Sequence, residues 1–260
     1  MITFLHLSDL HIPDQQSDLW DGVDVCRKLE TLIELAEKLD LHPSFTVITG
    51  DLSHTGTERS YHLAKIFLMK IKSLGGPVIP LMENMDDRTY FRNILLEKHA
   101  RCYSSHTIER LHVIAMDSHT QVFSVGSFSE EQLRWLESEL TDHHDEPTII
   151  GVHHPIFFFG ERGMFYKANA TLFRDLVSQG NVLAVLNGHL HNPLITVVDG
   201  IYYVQAGSPT WENAYTQKGR LSYDSSSFNK LGYDGGRLLF QLVSFSEGTQ
   251  LIKRSPEIHR

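Results

Sequence analysis

The sequence predicts an α/β protein in which two mixed β-sheets face each other within one domain that spans residues 1–260. In the first half, short apolar runs alternate with segments of helical period, a pattern typical of parallel β–α–β units with helices on the outside. In the second half, apolar runs separated by short turns favour antiparallel hairpins. A chain of 260 residues is long enough to bury a full core.

Each element of the first half has its own local signal. Apolar residues between positions 25 and 39 recur at helical spacing, and Thr57 precedes a second segment of this kind that ends at Gly75-Gly76. Asp87 is placed to cap a third helix. These signals predict, in chain order, a strand at 2–7, a helix over 25–39, a strand at 45–49, a helix over 57–74, a strand at 77–82 and a helix from 87 onwards.

The second half starts with one or two antiparallel strands, and a strong helix start follows them. Ser129 and Gln132 have the spacing of a capping box, in which each residue bonds the other's backbone N–H group. The apolar runs and breakers after this helix predict further elements in chain order. These are strands within 107–116, a helix from 129, a strand at 148–152, a helix over 170–178 and a strand at 182–186.

The last part of the chain is predicted to form hairpins and loops. Asp199-Gly200 favours a tight hairpin turn. The segment 207–236 is rich in Gly, Ser, Tyr and Asn, so we predict a loop-rich appendage near the functional site. Trp211 is interpreted as packing of this appendage, with a place at the rim of the site as the alternative. Strands at 238–245 and 249–253 are predicted to pair around Glu247-Gly248.

Charge and cysteine content exclude several classes of partner. The net charge of −9 disfavours binding of duplex nucleic acid or anionic membranes. Cys26 and Cys102 form no ligand or disulfide motif and favour a reducing compartment. No signal peptide or membrane-spanning run is recognised. The sequence therefore predicts a soluble, cytoplasmic protein and leaves open whether it forms a homo-oligomer.

Polar side chains follow five of the predicted strands at the point where each strand ends. Ligands gather beyond the carboxyl ends of strands in α/β folds, where the sheet fixes the geometry of the loops. We therefore expect these oxygen and nitrogen donors to lie together. They are Asp9, His11, Asp51, Asn84, His153, His189 and His191.

The number and type of these donors favour two metal ions over one. A single metal needs three or four donors, whereas two divalent cations about 3.5–4 Å apart need more and at least one bridging carboxylate. Asp, Asn and His without cysteine suit Mn, Fe, Co or Zn. Such a pair would lower the pKa of a shared water and give a hydroxide nucleophile, and it would neutralise the oxygens of a phosphate ester. Such a centre suits a small-molecule phosphoester as its substrate.

Each of these segments also has an ordinary interpretation. Gly50-Asp51 is typical of a strand-ending turn, and His153-His154-Pro155 is compatible with a polar turn. Five independent coincidences at strand ends are nevertheless less plausible than one metal centre. Other histidines are interpreted as surface or loop residues, although His54 is close enough in sequence to Asp51 to reach the site. These are His54, His62, His99, His106, His112, His119, His143 and His144.

The motifs over roughly residues 1–210 resemble, in order and spacing, the calcineurin-like metallophosphoesterase superfamily. The motifs are Asp9-Leu10-His11, Gly50-Asp51, Asn84 with Asp86, Val152-His153-His154-Pro155 and Gly188-His189-Leu190-His191. Met116-Asp117-Ser118 and the helix with Trp135-Leu136 are similar to a bacterial branch that contains class III cyclic nucleotide phosphodiesterases and glycerophosphodiesterases. The resemblance implies a four-layer αββα fold and a hydrolase of phosphoric ester bonds, most of all a phosphodiesterase.

The resemblance also implies a role for each site residue. Asp51 would bridge two metals and Asn84 would also bind substrate, while His154 would face the substrate phosphate as a catalytic residue. A phosphomonoesterase or a nucleotide-sugar pyrophosphatase of the same fold is the alternative. The implied metal ligands are Asp9, His11, Asp51 and His191 for one ion, and Asp51, Asn84, His153 and His189 for the other.

One motif departs from the family pattern. The family has Gly-Asn-His followed by Asp or Glu, where this chain has Glu83-Asn84-Met85-Asp86. A thioether cannot donate the proton that a histidine at Met85 would supply, and Asp86 is expected to lack its usual partner. Glu83 adds a carboxylate that is a further candidate ligand. A metal-binding homologue with impaired catalysis is therefore a second hypothesis.

Overall fold

The computed structural model describes residues 1–96, 100–120, 125–157, 167–217, 219–245 and 250–255. Its strands are β1 (Ile2–Leu7), β2 (Leu19–Trp20), β3 (Val23–Asp24), β4 (Phe45–Ile48), β5 (Val78–Pro80), β6 (Ser104–Ile108), β7 (Leu111–Ala115), β8 (Thr148–Gly151), β9 (Val182–Asn187), β10 (Leu194–Val198), β11 (Ile201–Gln205), β12 (Glu212–Thr216), β13 (Gly219–Tyr223), β14 (Ser227–Tyr233), β15 (Leu238–Ser244) and β16 (Leu251–Ser255). Its helices are α1 (Val25–Lys38), α2 (Glu58–Leu74), α3 (Arg88–Tyr90), which continues as a π-helix over Phe91–Leu95, α4 (Glu130–Asp142) and α5 (Lys167–Gln179). Within these ranges, no helix combines the length and the apolar character needed to cross a bilayer.

Two mixed sheets form the centre of the fold. The first sheet has the order β15-β14-β1-β4-β5, in which β1, β4 and β5 are parallel and β14 and β15 are antiparallel. The second sheet has the order β10-β11-β9-β8-β7-β6, with four parallel strands in the middle and an antiparallel strand at each edge. The predicted α/β class with mixed sheets is confirmed.

Side-chain packing shows that the sheets face each other and that helices cover both outer faces. Successive residues of a strand point to opposite faces of a sheet. Phe4 of β1 therefore packs in one cluster with Ile149 of β8 between the sheets, while Leu5 packs outward against Phe67 of α2. On the other side, Phe173 of α5 packs on the outer face of the second sheet. This is the four-layer αββα arrangement that the family resemblance implies.

Three predicted helix caps are present, and one of them differs from its expected form. The side chains of Thr57, Asp87 and Ser129 each accept hydrogen bonds from backbone N–H groups of the first turn of their helices. Gln132 does not complete the capping box at Ser129. Its amide instead accepts from the Asp117 N–H group at 2.7 Å and donates to the Asp117 carbonyl at 2.9 Å, so it fixes the end of β7.

The prediction of loops over residues 207–236 is wrong, because this segment contains β12, β13 and β14. Strand β14 pairs with β1 from Ile2↔Tyr233 to His6↔Asn229 and with β15 on its other side. Phe228 and Leu231 are fully buried. Glycine, serine and asparagine disfavour strands when considered alone, but pairing on both sides and burial override that tendency here.

The prediction of a final hairpin is also wrong. Strand β15 pairs with β14 in the first sheet, whereas β16 pairs with β13 in a separate three-stranded sheet of order β12-β13-β16. The turn signal at Glu247-Gly248 lies outside the described residues, and each flanking strand pairs with a different neighbour. The Asp199-Gly200 hairpin is confirmed, since β10 and β11 pair around it and both turn residues have positive φ.

Candidate metal centre

The seven side chains that follow the predicted strand ends meet at one place in the structure. They follow β1, β4 and β5 of the first sheet and β8 and β9 of the second. Hydrogen-bonding or ion-pairing distances connect them into one continuous set. They form two groups, which the loops of the two sheets build jointly.

The first group consists of Asp9, His11 and His191. His191 Nε2 lies 3.0 Å from His11 Nε2 and 3.3 Å from Asp9 Oδ1, and His11 Nε2 lies 3.9 Å from the same oxygen. Bonds from a cation such as zinc to these ligand types are about 2.0–2.2 Å long. Donor atoms at the observed separations can therefore surround one cation.

The second group consists of Asp51, His153 and His189, together with Asn84. Asn84 Oδ1 lies 3.0 Å from His153 Nε2 and 3.1 Å from His189 Nδ1. The two histidine nitrogens are 3.2 Å apart. These donors converge as closely as those of the first group do.

Asp51 belongs to the second group and also faces the first. Its Oδ2 atom is 3.8 Å from His11 Nε2 in the first group and 3.5 Å from His153 Nε2 in the second. Its Oδ1 atom accepts a hydrogen bond from the Met85 N–H group at 3.0 Å, which fixes the carboxylate plane. One oxygen is therefore held by the backbone while the other faces both groups.

Burial and charge make both groups fit for metal ions. Asp9 Oδ1 is buried and has no hydrogen-bond partner among the described residues, an arrangement that is costly unless a positive charge lies nearby. Burial lowers the pKa of His11 to about 3 and that of His189 to about 4. Both rings are therefore neutral at pH 7, the form in which histidine ligates metals.

Backbone carbonyls orient two of the candidate ligands. His153 Nδ1 donates to the Thr49 carbonyl at 2.6 Å, and His191 Nδ1 donates to the Trp211 carbonyl at 3.0 Å. Each bond leaves Nε2 directed at the centre, as in metal sites where an outer hydrogen bond fixes the imidazole. Burial disfavours a charged His153, yet Asp51 and other carboxylates raise its pKa to about 10. The site thus attracts positive charge at this position.

The backbone around the centre is strained. Asp9, His11, Asp51, His189 and His191 all have φ between 47° and 71°. This left-handed conformation costs roughly 1–2 kcal/mol for each residue with a side chain. Strain of this kind is concentrated at functional sites, where it forms part of the arrangement of the functional groups.

Two glycines allow the loops to approach each other closely. A Cβ atom at Gly188 would lie 1.7 Å from Ser8 Oγ and 2.6 Å from Asp9 Oδ2. At Gly50, where φ is +91°, a Cβ atom would lie 2.7 Å from Glu83 Cβ and 2.8 Å from His153 Nδ1. Any larger residue at either position would push candidate ligands apart.

Asp86 lacks its usual histidine partner because residue 85 is methionine, yet its carboxylate is fully engaged by other groups. Its carboxylate accepts hydrogen bonds from the N–H groups of Leu52, Ser53 and Glu83 at 3.0–3.2 Å and from the Tyr61 hydroxyl at 2.7 Å. These bonds join the loop after β4 to the loop after β5. Asp86 therefore supports the segments that present Asp51 and Asn84.

Replacing Tyr61 with phenylalanine is expected to destabilise the protein by about 1–3 kcal/mol. The Tyr61 hydroxyl donates to Asp86 and accepts from the Asp87 N–H group at 2.8 Å, so its loss leaves a buried carboxylate and a partly buried N–H group short of a partner. Urea unfolding measures the change. Tyr103→Phe, which removes a hydrogen bond to Glu131 at an exposed position, is the matched control, and an equal effect of both variants would contradict the prediction.

His154, for which the sequence predicts contact with the substrate phosphate, is buried beside the two groups. Its Nδ1 atom lies 3.0 Å from Ser118 Oγ and 3.3 Å from Glu83 Oε2, and its ring centroid lies 4.7 Å from that of His189. Glu83 also accepts from the Ser118 N–H group at 3.0 Å. The Glu83 carboxylate thus faces His154 and Ser118, and it belongs to neither of the two groups. The structure does not support Glu83 as a ligand.

Trp211 supports the centre in a way that sequence reasoning missed. Its ring stacks on His11 and His191 at centroid distances of 4.6 and 4.7 Å, and Trp20 also stacks on it at 3.8 Å. The available signal was its position after β11, which lies parallel to β9. His54 reaches the centre as anticipated, with its ring 5.5 Å from that of His11.

A third convergence of donors lies away from this centre. His112 Nε2 is 3.3 Å from Glu139 Oε2, and the rings of His112 and His143 stack at 4.1 Å. These contacts join the start of β7 to the end of α4. They therefore lie at the amino end of β7, whereas the metal centre lies beyond the carboxyl ends of the strands. The interpretation of His112 as a surface or loop residue is wrong, because it is a buried residue of β7. His99 lies outside the described residues.

Comparisons with known proteins agree with this geometry. A family model described as calcineurin-like phosphoesterase matches residues 2–193. A probable cyclic nucleotide phosphodiesterase of Rhodococcus erythropolis is 30% identical over 82% of this chain and 71% of its own length. A probable glycerophosphodiester phosphodiesterase of Arcobacter nitrofigilis is 27% identical over 81% of this chain and 79% of its own length.

The fold has a solved counterpart in a dimetal phosphatase from Danio rerio. That structure matches with a TM-score of 0.72 at 14% identity and covers 98% of this chain and 99% of its own. At this identity the likeness concerns the fold, while the family model and the relatives concern the sequence. The chain belongs to the calcineurin-like phosphoesterase family, whose members hydrolyse phosphoric ester bonds.

Proposed function

We propose that this protein is a phosphodiesterase that works with two divalent cations, one at each of the two groups. The observation that carries the proposal is the position of Asp51 Oδ2, which lies within 3.8 Å of His11 Nε2 and within 3.5 Å of His153 Nε2. Mn, Fe, Co or Zn suits the mixed Asp, Asn and His donors. Asp9, His11 and His191 would complete one site, and Asn84, His153 and His189 the other.

The residues of the chain divide the remaining tasks. Two cations held there would supply positive charge to the phosphate oxygens and lower the pKa of water towards neutrality. Asn84 lies between His153 and His189 and is assigned to contact the phosphate as well as a cation. Ser118 and Glu83 orient the His154 ring, which we assign to bind the phosphate and assist its reaction.

A phosphodiester is favoured over a monoester by the names of the relatives. Both curated relatives described above are named as phosphodiesterases, one for cyclic nucleotides and one for glycerophosphodiesters. A phosphomonoesterase or a nucleotide-sugar pyrophosphatase is the alternative within the same fold. Duplex nucleic acid is disfavoured as a substrate by the net charge of −9.

Removal of metal is expected to abolish hydrolysis of bis(4-nitrophenyl) phosphate, and Mn²⁺ is expected to restore it. The reason is that two cations would supply far more positive charge to the phosphate oxygens than the buried side chains supply without them. Steady-state rates before chelation, after chelation and after reloading measure the effect. 4-Nitrophenyl phosphate, assayed in parallel, separates a diesterase from a monoesterase. The absence of turnover with any of several esters, at full metal loading, would overturn the proposal.

A second candidate function, metal binding without efficient catalysis, rests on Met85. Its backbone lies beside Asp51, yet its side chain carries no proton donor. General acid or base help typically contributes about 10²–10⁴-fold in rate. Rapid turnover of an alkyl phosphodiester by the unmodified protein would exclude this candidate.

A further inference from the structure

A cavity of about 280 Å³ lies next to the metal centre, between α3 with its π-helix and the start of α4. Three arginines line it, namely Arg88, Arg92 and Arg101, and Asp117 and Glu131 face them. Pockets that hold drug-sized ligands have volumes of about 300–1,000 Å³. This cavity therefore suits one small arm of a ligand, such as a phosphate or carboxylate with a short linker.

The charges in the cavity do not balance. Arg88 pairs with Asp117 at 2.5 Å, and Arg101 pairs with Glu131 at 3.3 Å. Arg92 is the third guanidinium, and no carboxylate pairs with it among the described residues. Its Nε atom is buried and has no hydrogen-bond partner there. Among the side chains that the structure describes, one positive charge of the cavity is therefore left for an anion.

The position of Arg92 is a second, independent indication of function. Arg92 lies in the π-helix Phe91–Leu95, and π-helical turns occur frequently at functional sites. This turn follows directly on α3, and α3 follows the segment that presents Asn84. The same short stretch of chain thus supplies a candidate metal ligand and the arginine of the cavity.

Contacts connect the cavity to the metal centre. Asp117 lines the cavity, and the next residue, Ser118, bonds His154 at 3.0 Å. His119 also lines the cavity. A phosphoester seated at the two metal groups can therefore extend an organic arm towards Arg92.

We infer that the cavity binds a second oxyanion, a carboxylate or phosphate, carried on one arm of the phosphoester substrate, with Arg92 as its main contact. The planar guanidinium matches both anions through paired N–H donors. Arg88 and Arg101 line the same space, and they are paired with Asp117 and Glu131. This inference rests on the proposed function, and it gives that function a substrate class, namely anionic phosphodiesters.

Matched substrates test this inference. The substrates are phosphodiesters with one 4-nitrophenyl group and one ω-carboxyalkyl arm of increasing length. They are compared with phosphodiesters in which an isopropyl group of the same shape replaces the carboxylate. A third set carries a terminal phosphate. Arg92→Gln is expected to lower kcat/KM for at least one anionic arm on the order of 10–100-fold. The effect of the same variant on the isopropyl esters is expected to be much smaller.

Two further variants control the test. Arg134→Gln removes an exposed arginine that pairs with Glu130 outside the cavity, and it is expected to have no effect. Arg92→Lys keeps the positive charge but lacks the paired N–H donors of the guanidinium, so its rate with the anionic arm is expected to lie between those of the unmodified protein and Arg92→Gln. Comparison of the carboxylate and phosphate arms decides which anion the cavity prefers. Equal kcat/KM values for anionic and isopropyl esters at every arm length, or no effect of Arg92→Gln, would overturn the inference while leaving the proposed function intact.

A binding measurement decides the case in which no ester is hydrolysed. The proposed function then fails, but the cavity is still tested by calorimetric titration of the metal-free, full-length chain with inorganic phosphate. Saturable binding that Arg92→Gln weakens at least tenfold and Arg134→Gln leaves unchanged supports an anion site. Absence of such binding, in protein whose circular dichroism shows it to be folded, overturns it.

Discussion

Replacing Asp51 with asparagine is expected to lower turnover by at least about 100-fold and to leave fewer than two bound metal ions per chain. Asparagine has the same shape but no charge, and Asp51 Oδ2 is the atom that faces both groups. Loss of a group that only orients a metal ligand typically costs 10–100-fold in affinity or activity. Loss of a carboxylate assigned to both ions is expected to exceed that range.

The chain offers a closely matched control for this variant. Asp199 has a φ of 51°, against 49° for Asp51, but lies in the turn between β10 and β11. Asparagine tolerates this left-handed conformation, so Asp199→Asn tests the backbone effect alone. Metal content after dialysis and kcat with a 4-nitrophenyl diester are the measurements. Two retained ions and unchanged turnover in Asp51→Asn would show that Asp51 does not bridge.

The parts of the fold that local sequence determines were predictable. The strands that lead to Asp9, Asp51 and His153 are short apolar runs. The helices between the strands begin at capping residues such as Thr57, which bond backbone N–H groups only a few residues away. Strand β14 was not predictable in this way, because its Gly, Ser and Asn content disfavours a strand and only pairing with β1 and β15 makes it one. The predicted final hairpin was wrong because β15 pairs with the strand before it, β14, whereas β16 pairs with β13 much earlier in the chain.

The residues of the candidate site also differ in how well the local sequence predicts them. Residues directly after a strand, such as Asp51 and His189, could be identified because parallel strands end at one edge of a sheet. The residues that support them carry a weaker sequence signal or none. Trp211 stacks on His11 and His191 from a segment with no strand signal, and Asp86 is satisfied by backbone groups from another loop. Such contacts depend on the relative positions of loops, which periodicity does not report.

Replacing Met85 with histidine is expected to raise turnover of an alkyl phosphodiester by about 100-fold. The Met85 N–H group bonds Asp51 Oδ1 at 3.0 Å, so an imidazole at this position would start from a fixed point beside the metal groups. General acid help is worth about 10²–10⁴-fold. We expect the lower end, because Asp86 already accepts four hydrogen bonds and could orient the new ring only by giving one up.

The choice of leaving group makes this prediction specific to proton transfer. An alkoxide leaves only when it is protonated, whereas 4-nitrophenolate leaves without help, so Met85→His should accelerate the alkyl ester far more than the 4-nitrophenyl ester. Met85→Leu conserves volume without adding a donor and should change neither rate by much. An equal gain with both esters would indicate better substrate positioning instead. No gain with either would mean that the acid is already present, and His154, held by Ser118 and Glu83, is then the residue to which it would be assigned.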